Sequence, residues 1–265
     1  MMAIAHKQGE ARRTKLGNLQ TASMVLLSIF YAGLVLGSGS DRLTATRPEI
    51  ADSIPSLFAS EALRVTGAQA LADEKANATI EIGRQALRDA PTDPQSAAML
   101  GAGFLAGGDL TKADQAFRVA GRLGWRVPIT QSYWLGKALA VSDYELAALR
   151  LDALLRQQPN LLSQRQLLDP MERNPAGRVA LIRRMALHPE WLPVYASDVT
   201  SSPADVMLQR SVVLEEAART GLVLGCDTIA PTVARLVELK LPVEAGRLSK
   251  AHCPAKERAR IASIL

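Results

Sequence analysis

The sequence predicts an all-α protein in which one N-terminal transmembrane helix precedes a solenoid of helical hairpins and a diverged helical C-terminal part. Three observations predict this class. An uncharged, mostly apolar run occupies residues 19–37. A helix–turn–helix pattern at 94–127 recurs in the same register before and after it. Aromatic residues make up only 4% of the 265 residues, while alanine and leucine are abundant, which favours packed helices over sheets.

The clearest hairpin is predicted at 94–127, with Gly107-Gly108-Asp109 as its turn. Glycine tolerates the positive φ that ends many helices. Small and apolar residues recur at the spacing of one helical face on both sides of this turn. They are Ala97, Leu100, Gly101 and Phe104 before the turn, and Ala113, Ala116, Phe117 and Ala120 after it. We therefore expect two helices that approach closely at their small residues.

This pattern resembles the tetratricopeptide repeat (TPR), a helical hairpin of about 34 residues. The matching residues are Leu100-Gly101, Phe104, Gly108-Asp109, Ala113, Phe117 and Ala120. Shifted units at 60–93 and 128–161 keep part of the signature, although Gly83 replaces an aromatic residue in the first of them. Because one hairpin cannot bury its apolar face alone, the resemblance implies that repeats at 57–161 stack into a solenoid. A generic helical bundle with coincidental turns is the alternative.

Residues 162–265 are also predicted to be helical, but they carry no repeat signature. They are either diverged repeats or a separate helical cap. Proline and glycine residues divide the region into helices predicted at 176–187, 204–219, 229–239, 243–250 and 255–264. The acidic pair Glu215-Glu216 is expected on a solvated helix face rather than at an acid/base site.

The apolar run at 19–37 is long enough to span a bilayer as a helix. The basic residues before it, Lys7, Arg12, Arg13 and Lys15, outnumber the single acidic residue, Glu10. The positive-inside rule then places a basic tail, 1–18, in the cytoplasm and the rest of the chain in the periplasm, with 19–37 as a single-pass anchor in a bacterial inner membrane. The alternative is a signal peptide cleaved near Ser38-Gly39-Ser40, which also exports the rest.

Two further features belong to this region. Gly33 and Gly37 have the GxxxG spacing that lets two membrane helices touch, which would allow a homodimer. Residues 38–56 are polar and contain two prolines, so they are predicted to form a linker. The basic tail also accounts for much of the net charge of +5, so no nucleic-acid surface is predicted.

No residue set predicts a catalytic site, a cofactor or a metal. His6, His188 and His252 lack partners at metal-ligand spacing, and His252 with the two cysteines lacks a fourth ligand. The match of Gly101-Ala102-Gly103 to a dinucleotide fingerprint lies inside a predicted helix, so it is interpreted as structural.

The resemblance to TPR proteins implies a partner-binding groove lined by the first helix of each unit. Its predicted residues are Gln95, Ala98, Ala102, Leu105, Ile129, Ser132, Gly136 and Leu139. These residues are mostly small or apolar, so the expected partner is an apolar helix or an extended apolar segment of another protein. Alternatively, the C-terminal helices of the chain itself fill the groove.

Cys226 and Cys253 are the only cysteines, and both follow the membrane segment. Export would place them in an oxidising compartment, so a disulfide is predicted that clasps the end of the solenoid. Two buried free thiols are the alternative.

Together these features predict a membrane-anchored protein–protein interaction scaffold that faces the periplasm, in a cell-envelope assembly, secretion or polysaccharide-export complex. The alternative is an exported helical hydrolase or glycan-acting enzyme with an unrecognised carboxylate site.

Overall fold

The computed structural model describes residues 2–197, 199 and 202–257, with side chains from residue 22 onward. Within these residues the chain forms helices and no strand, which confirms the predicted all-α class. The α-helices are α1 (Met2–Leu43), α2 (Ser60–Ala72), α3 (Ala76–Asp89), α4 (Pro94–Ala106), α5 (Leu110–Leu123), α6 (Pro128–Ala140), α7 (Tyr144–Leu155), α8 (Arg165–Arg173), α9 (Pro175–Met185), α10 (Leu192–Ser197), α11 (Ala204–Arg219), α12 (Cys226–Glu238) and α13 (Pro242–His252). The short 3₁₀ helices are Pro48–Ser53, Ser56–Phe58 and Pro159–Ser163. The chain divides into two compact units, Met1–Leu123 and Gly124–Leu265.

The N-terminal helix α1 includes a stretch, Ala22–Leu43, that is long and apolar enough to cross a membrane, with a mean hydropathy of 1.8. Its large apolar side chains are exposed, as lipid-facing side chains would be. The helix continues to Leu43, so the predicted linker at 38–56 begins inside it, and most of the remainder forms 3₁₀ helices. Within this extension the Ser40 hydroxyl donates a hydrogen bond to the Leu36 carbonyl at 2.7 Å.

The three predicted repeat units have helices in one register. Their first helices begin 34 residues apart, at Ser60, Pro94 and Pro128. Their second helices begin at the same interval, at Ala76, Leu110 and Tyr144. The hairpin geometry therefore recurs with the predicted period.

The turns of the three hairpins share one conformation. Glu74, Gly108 and Ser142 have positive φ values of 59°, 79° and 58°. In each turn, the backbone amide of the next residue donates a hydrogen bond to a carbonyl of the first helix. The Lys75 amide donates to the Ala70 carbonyl at 2.8 Å, the Asp109 amide to the Phe104 carbonyl at 2.9 Å, and the Asp143 amide to the Ala138 carbonyl at 2.9 Å. These bonds satisfy carbonyls at the helix end, so the motif forms even where the left-handed residue is not glycine.

In the unit Met1–Leu123, glycine sets the closeness of one helix pair. A Cβ added to Gly83 on α3 would lie 2.9 Å from the Leu100 Cα on α4. Gly83, which replaces the aromatic residue of the repeat signature, therefore lets the backbones of α3 and α4 approach closely. On α5, Ala113 and Phe117 are buried, as the repeat pattern predicts.

We expect Ala113→Leu to lower the stability of this unit by about 1–3 kcal/mol, because the alanine is fully buried and a larger side chain overpacks the hairpin. Ala45→Leu is the matched control, since Ala45 is exposed, and it should change stability little. The unit contains no tryptophan, so melting is followed by circular dichroism of the full chain in detergent. Equal melting temperatures for the two variants would contradict the hairpin packing.

In the unit Gly124–Leu265, the third hairpin and the C-terminal helices share one hydrophobic core. Leu135 on α6 and Leu151 on α7 belong to the same buried cluster as Trp191 and Leu236. The predicted domain boundary at 161 therefore does not coincide with the division between the compact units. The diverged region completes the core of the third hairpin.

The C-terminal part contains a hairpin of the same shape as the repeats. Helix α12 has 13 residues, as do α2, α4 and α6, and α13 begins 16 residues after α12 begins, the same offset as in the repeats. Lys240 takes the left-handed turn conformation with φ 60°, and the Leu241 amide donates to the Leu236 carbonyl at 2.9 Å. This hairpin therefore has the helix offset and the turn of the three predicted units, and both alternatives for residues 162–265 stay predictions.

The other helices predicted after residue 162 are found in part. Those at 176–187 and 204–219 correspond to α9 and α11, whereas α8 and α10 were not predicted. The helix predicted at 255–264 lies outside the described residues beyond 257.

Candidate functional site

The predicted groove residues on α4 differ in exposure. Ala98 and Ala102 are buried, while Gln95 is exposed and Leu105 is 42% exposed. They share one face of the helix because they lie three or four residues apart. Without rearrangement a partner would therefore reach this face mainly through its two ends, and partner binding by all four residues stays a prediction.

The Gln95 end of this face is polar. The Gln95 side-chain oxygen accepts a hydrogen bond from the Arg64 guanidinium on α2 at 2.8 Å. Arg64 also forms an ion pair with Glu61 at 2.8 Å. Next to this group is an open cavity of about 250 Å³. Its lining residues are Ser60, Leu63, Arg64, Ala86, Asp89, Ala90, Asp93 and Ser96. The Asp93 carboxylate caps α4, accepting from the Ser96 amide at 3.0 Å, so this acid has a structural role.

The predicted groove residues on α6 belong to the unit Gly124–Leu265. Gly136 is exposed, and Ile129, Ser132 and Leu139 are partly buried. Leu139 also packs against the hydrophobic core of this unit. Part of the apolar surface of Leu139 is therefore already buried against the core of this unit.

A buried polar cluster, which the sequence did not predict, lies in the same unit and consists of Arg165, Glu172, Tyr195 and Arg210. Glu172 is fully buried; one carboxylate oxygen accepts the Tyr195 hydroxyl at 2.8 Å and the other pairs with Arg165. The Arg210 guanidinium lies 4.7 Å from the centre of the Tyr195 ring. Burial, together with the Glu172 charge, raises the pKa of Tyr195 well above its usual value, so the phenol stays a neutral donor.

This cluster bears on the alternative of a hydrolase with a carboxylate pair. Asp169 and Glu172 do converge, since both pair with Arg165. However, both oxygens of Glu172 are engaged and the side chain has no exposed surface. The arrangement neutralises charge inside the core, and we interpret it as structural.

The expectation for Glu215-Glu216 was wrong in part. Glu215 is only 8% exposed, and burial raises the pKa of its carboxyl. Glu216 forms an ion pair with Arg178 of α9 at 2.9 Å, which joins α9 to α11. Glu216 thus links two helices, and Glu215 is buried rather than placed on a solvated face.

Cys226 and Cys253 are paired, as predicted, with Cα atoms 4.9 Å apart. Both are buried, and the bridge joins the first residue of α12 to the residue after α13. It therefore closes the C-terminal hairpin. Among the described residues, no group of three or more His, Cys, Asp or Glu side chains is placed to hold a metal ion.

His252, beside the disulfide, holds the loop between α11 and α12. Its Nδ1 accepts a hydrogen bond from the Leu224 amide at 3.2 Å, and its Nε2 lies 3.0 Å from the Leu214 carbonyl. Since the amide must donate, Nδ1 carries no proton and Nε2–H donates to the carbonyl. Burial lowers the pKa of His252, so the folded state favours the neutral ring.

We expect this histidine to make the unit Gly124–Leu265 less stable in acid. A folded-state pKa below the unfolded value of about 6.5 contributes stability that is complete above that pH and is lost as the pH falls toward the folded-state pKa. The slope is at most about 1.4 kcal/mol per pH unit. Urea unfolding followed by tryptophan fluorescence measures it, because all three tryptophans lie in this unit.

The matched variants are His252→Gln and His188→Gln, because His188 is exposed. Between pH 7.5 and pH 5.5, His188→Gln should lose stability as the wild type does, while His252→Gln should lose less. The same pH dependence in all three proteins would contradict the role of His252.

Comparisons with protein-family models, with curated proteins and with solved structures find no match to this chain.

Proposed function

We propose that the protein is a membrane-anchored, TPR-like scaffold that faces the periplasm and binds a partner protein in a cell-envelope assembly, secretion or polysaccharide-export complex. The observation that carries the proposal is the hairpin register: first helices begin at Ser60, Pro94 and Pro128, each followed by the same left-handed turn. Stacked hairpins of this kind form extended binding surfaces.

The anchor in this proposal is α1. Its apolar surface is exposed along the stretch that is long enough to span a bilayer, and lipid would cover it. The proposal takes the helix as retained because its apolar run is longer than most signal-peptide apolar regions. The basic residues before it support the orientation with the N-terminus in the cytoplasm.

The proposed partner is an apolar helix or extended segment that contacts α4 at Leu105. Leu105 offers apolar area, while Gln95 and Arg64 offer hydrogen-bonding groups at the other end of the α4 face. One apolar end and one polar end on the same helix face suit a peptide or helix docked along that face.

Site-specific photo-cross-linking tests this function. A photoreactive phenylalanine at Leu105 on α4 should give a light-dependent adduct with another protein in cells. Val119 on α5 is the matched control, because it is 45% exposed against 42% for Leu105 and lies on a second helix. Adducts only at Val119, or equally at both positions, would contradict binding through the first-helix face.

A further inference from the structure

We propose that Leu57, on the 3₁₀ helix Ser56–Phe58, inserts into the lipid interface beside the end of α1, so that the first hairpin rests directly on the bilayer. This inference depends on the proposed membrane anchor and goes beyond it, because it assigns a second membrane contact to a residue far from the apolar run in sequence.

A contact with α1 sets the position of this 3₁₀ helix along the membrane normal. A Cβ added to Gly37 would lie 2.5 Å from the Cδ2 and Cε2 atoms of Phe58, so the Phe58 ring lies directly against the α1 backbone. Gly37 is the last residue of the apolar run at 19–37. The first charged residues after this run are Asp41 and Arg42, one helical turn further on, so Phe58 lies near the C-terminal end of the proposed span.

A second contact holds the same region in place. The Asp41 carboxylate, near the end of α1, accepts hydrogen bonds from the Glu61 amide at 3.0 Å and the Ala62 amide at 2.9 Å, at the start of α2. A carboxylate at a helix N-terminus also interacts favourably with the helix dipole. Asp41 and Thr44 are buried. Helix α1 therefore contacts the following chain at two separate points, Phe58 on the 3₁₀ helix and the start of α2.

Leu57 is the side chain that this arrangement presents to lipid. It is 82% exposed, more than any other large apolar side chain in the described part of the chain. It adjoins Phe58, so it lies at the level of the membrane boundary. Insertion would bury apolar surface that is otherwise in contact with water.

The contact is apolar rather than electrostatic. The exposed charged residues on the segment between α1 and this 3₁₀ helix are Arg47, Glu49 and Asp52, and Arg42 lies at the end of α1. Two basic and two acidic side chains give no net attraction to anionic lipid. The contact should therefore persist in vesicles of neutral phosphatidylcholine and at high salt.

Depth-dependent fluorescence quenching tests the inference on the full chain in phosphatidylcholine vesicles. An environment-sensitive probe is attached to one introduced cysteine, in Leu57→Cys, Leu36→Cys or Leu110→Cys; all three leucines are at least 65% exposed. The native cysteines are paired and buried, and wild-type chain labelled in parallel measures the background. Leu36 lies within the proposed span, and Leu110 begins α5.

We expect lipid nitroxides to quench the probes at positions 36 and 57 but not the probe at position 110. At position 57 a shallow nitroxide should quench more than a deep one. Quenching at 36 without quenching at 57 would refute the inference and leave the anchor intact. Loss of quenching at 36 as well would refute the anchor and the inference together. Energy transfer between labelled chains at position 57, in place of quenching by lipid, would assign Leu57 to a contact between copies and also refute it.

Discussion

Replacing Glu172 with alanine is expected to lower the free energy of unfolding of the unit Gly124–Leu265 by about 3–5 kcal/mol. Glu172 is fully buried and accepts from both the Tyr195 hydroxyl and Arg165. Its removal leaves the buried Tyr195 hydroxyl without its acceptor, takes one of two carboxylate partners from Arg165, and opens a cavity in the core. Because a domain is typically stable by only about 5–15 kcal/mol, the loss should be evident in urea.

Asp169→Ala is the matched control for this experiment. Asp169 pairs with the same Arg165 side chain, but its own side chain is 31% exposed. Removing it should cost about 1 kcal/mol or less, because a solvated ion pair contributes little. Tryptophan fluorescence reports both variants through Trp191, whose ring is 6.1 Å from that of Tyr195. Equal losses for the two variants would show that Glu172 is not the centre of the cluster.

Replacing both Cys226 and Cys253 with alanine is expected to destabilise the same unit by about 3.5 kcal/mol in the chain-entropy model. The bridge joins residues 27 apart in sequence, so it restricts the unfolded chain over the whole C-terminal hairpin. Urea unfolding without reductant measures the difference between the wild type and the double variant.

Two controls separate the disulfide from other effects of the substitution. Reductant should lower the stability of the wild type toward that of the double variant and leave the double variant unchanged. Protein purified from the exported fraction and denatured without reductant should contain no free thiol. Two free thiols would contradict the bridge and weaken the case for an oxidising compartment.

The repeat register could be predicted from sequence because it depends on local spacing. The small residue Ala113 and the turn at Gly108 lie close together in sequence, within a single hairpin. The helices begin where the 34-residue period places them. The helices at 229–239 and 243–250 were predicted, but their repeat-like hairpin was not, because Lys240 takes the turn position of Gly108 and Ser249 takes the position of Phe117. Leu236 and Ala245, at the positions of Phe104 and Ala113, are the signals that could have identified it.

The polar cluster could not be predicted because its members come from different helices. Tyr195 meets Glu172 only through the packing of α10 on the core, a contact that no local spacing encodes. On α8, Arg165, Asp169 and Glu172 do share a helical face, which was the only local signal. The docking of α1 on the first hairpin depends in the same way on the long-range bonds of Asp41.

The homodimer expected from Gly33 and Gly37 stays a prediction, and the structure adds a steric requirement to it. The Phe58 ring occupies the space beside Gly37 that a second helix would need, whereas a Cβ at Gly33 would meet nothing within 4 Å. A close helix crossing at both glycines would require Phe58 to move.

We propose that α1 anchors the helical units on the periplasmic side of a membrane. A pair of reporter fusions after Leu265 tests it most directly: one enzyme that is active only outside the cytoplasm and one that is active only inside it. We expect activity from the first reporter alone, with the fusion retained in the membrane fraction after alkaline extraction. Activity from the second reporter alone, or release of the fusion by alkaline extraction, would contradict the periplasmic anchor.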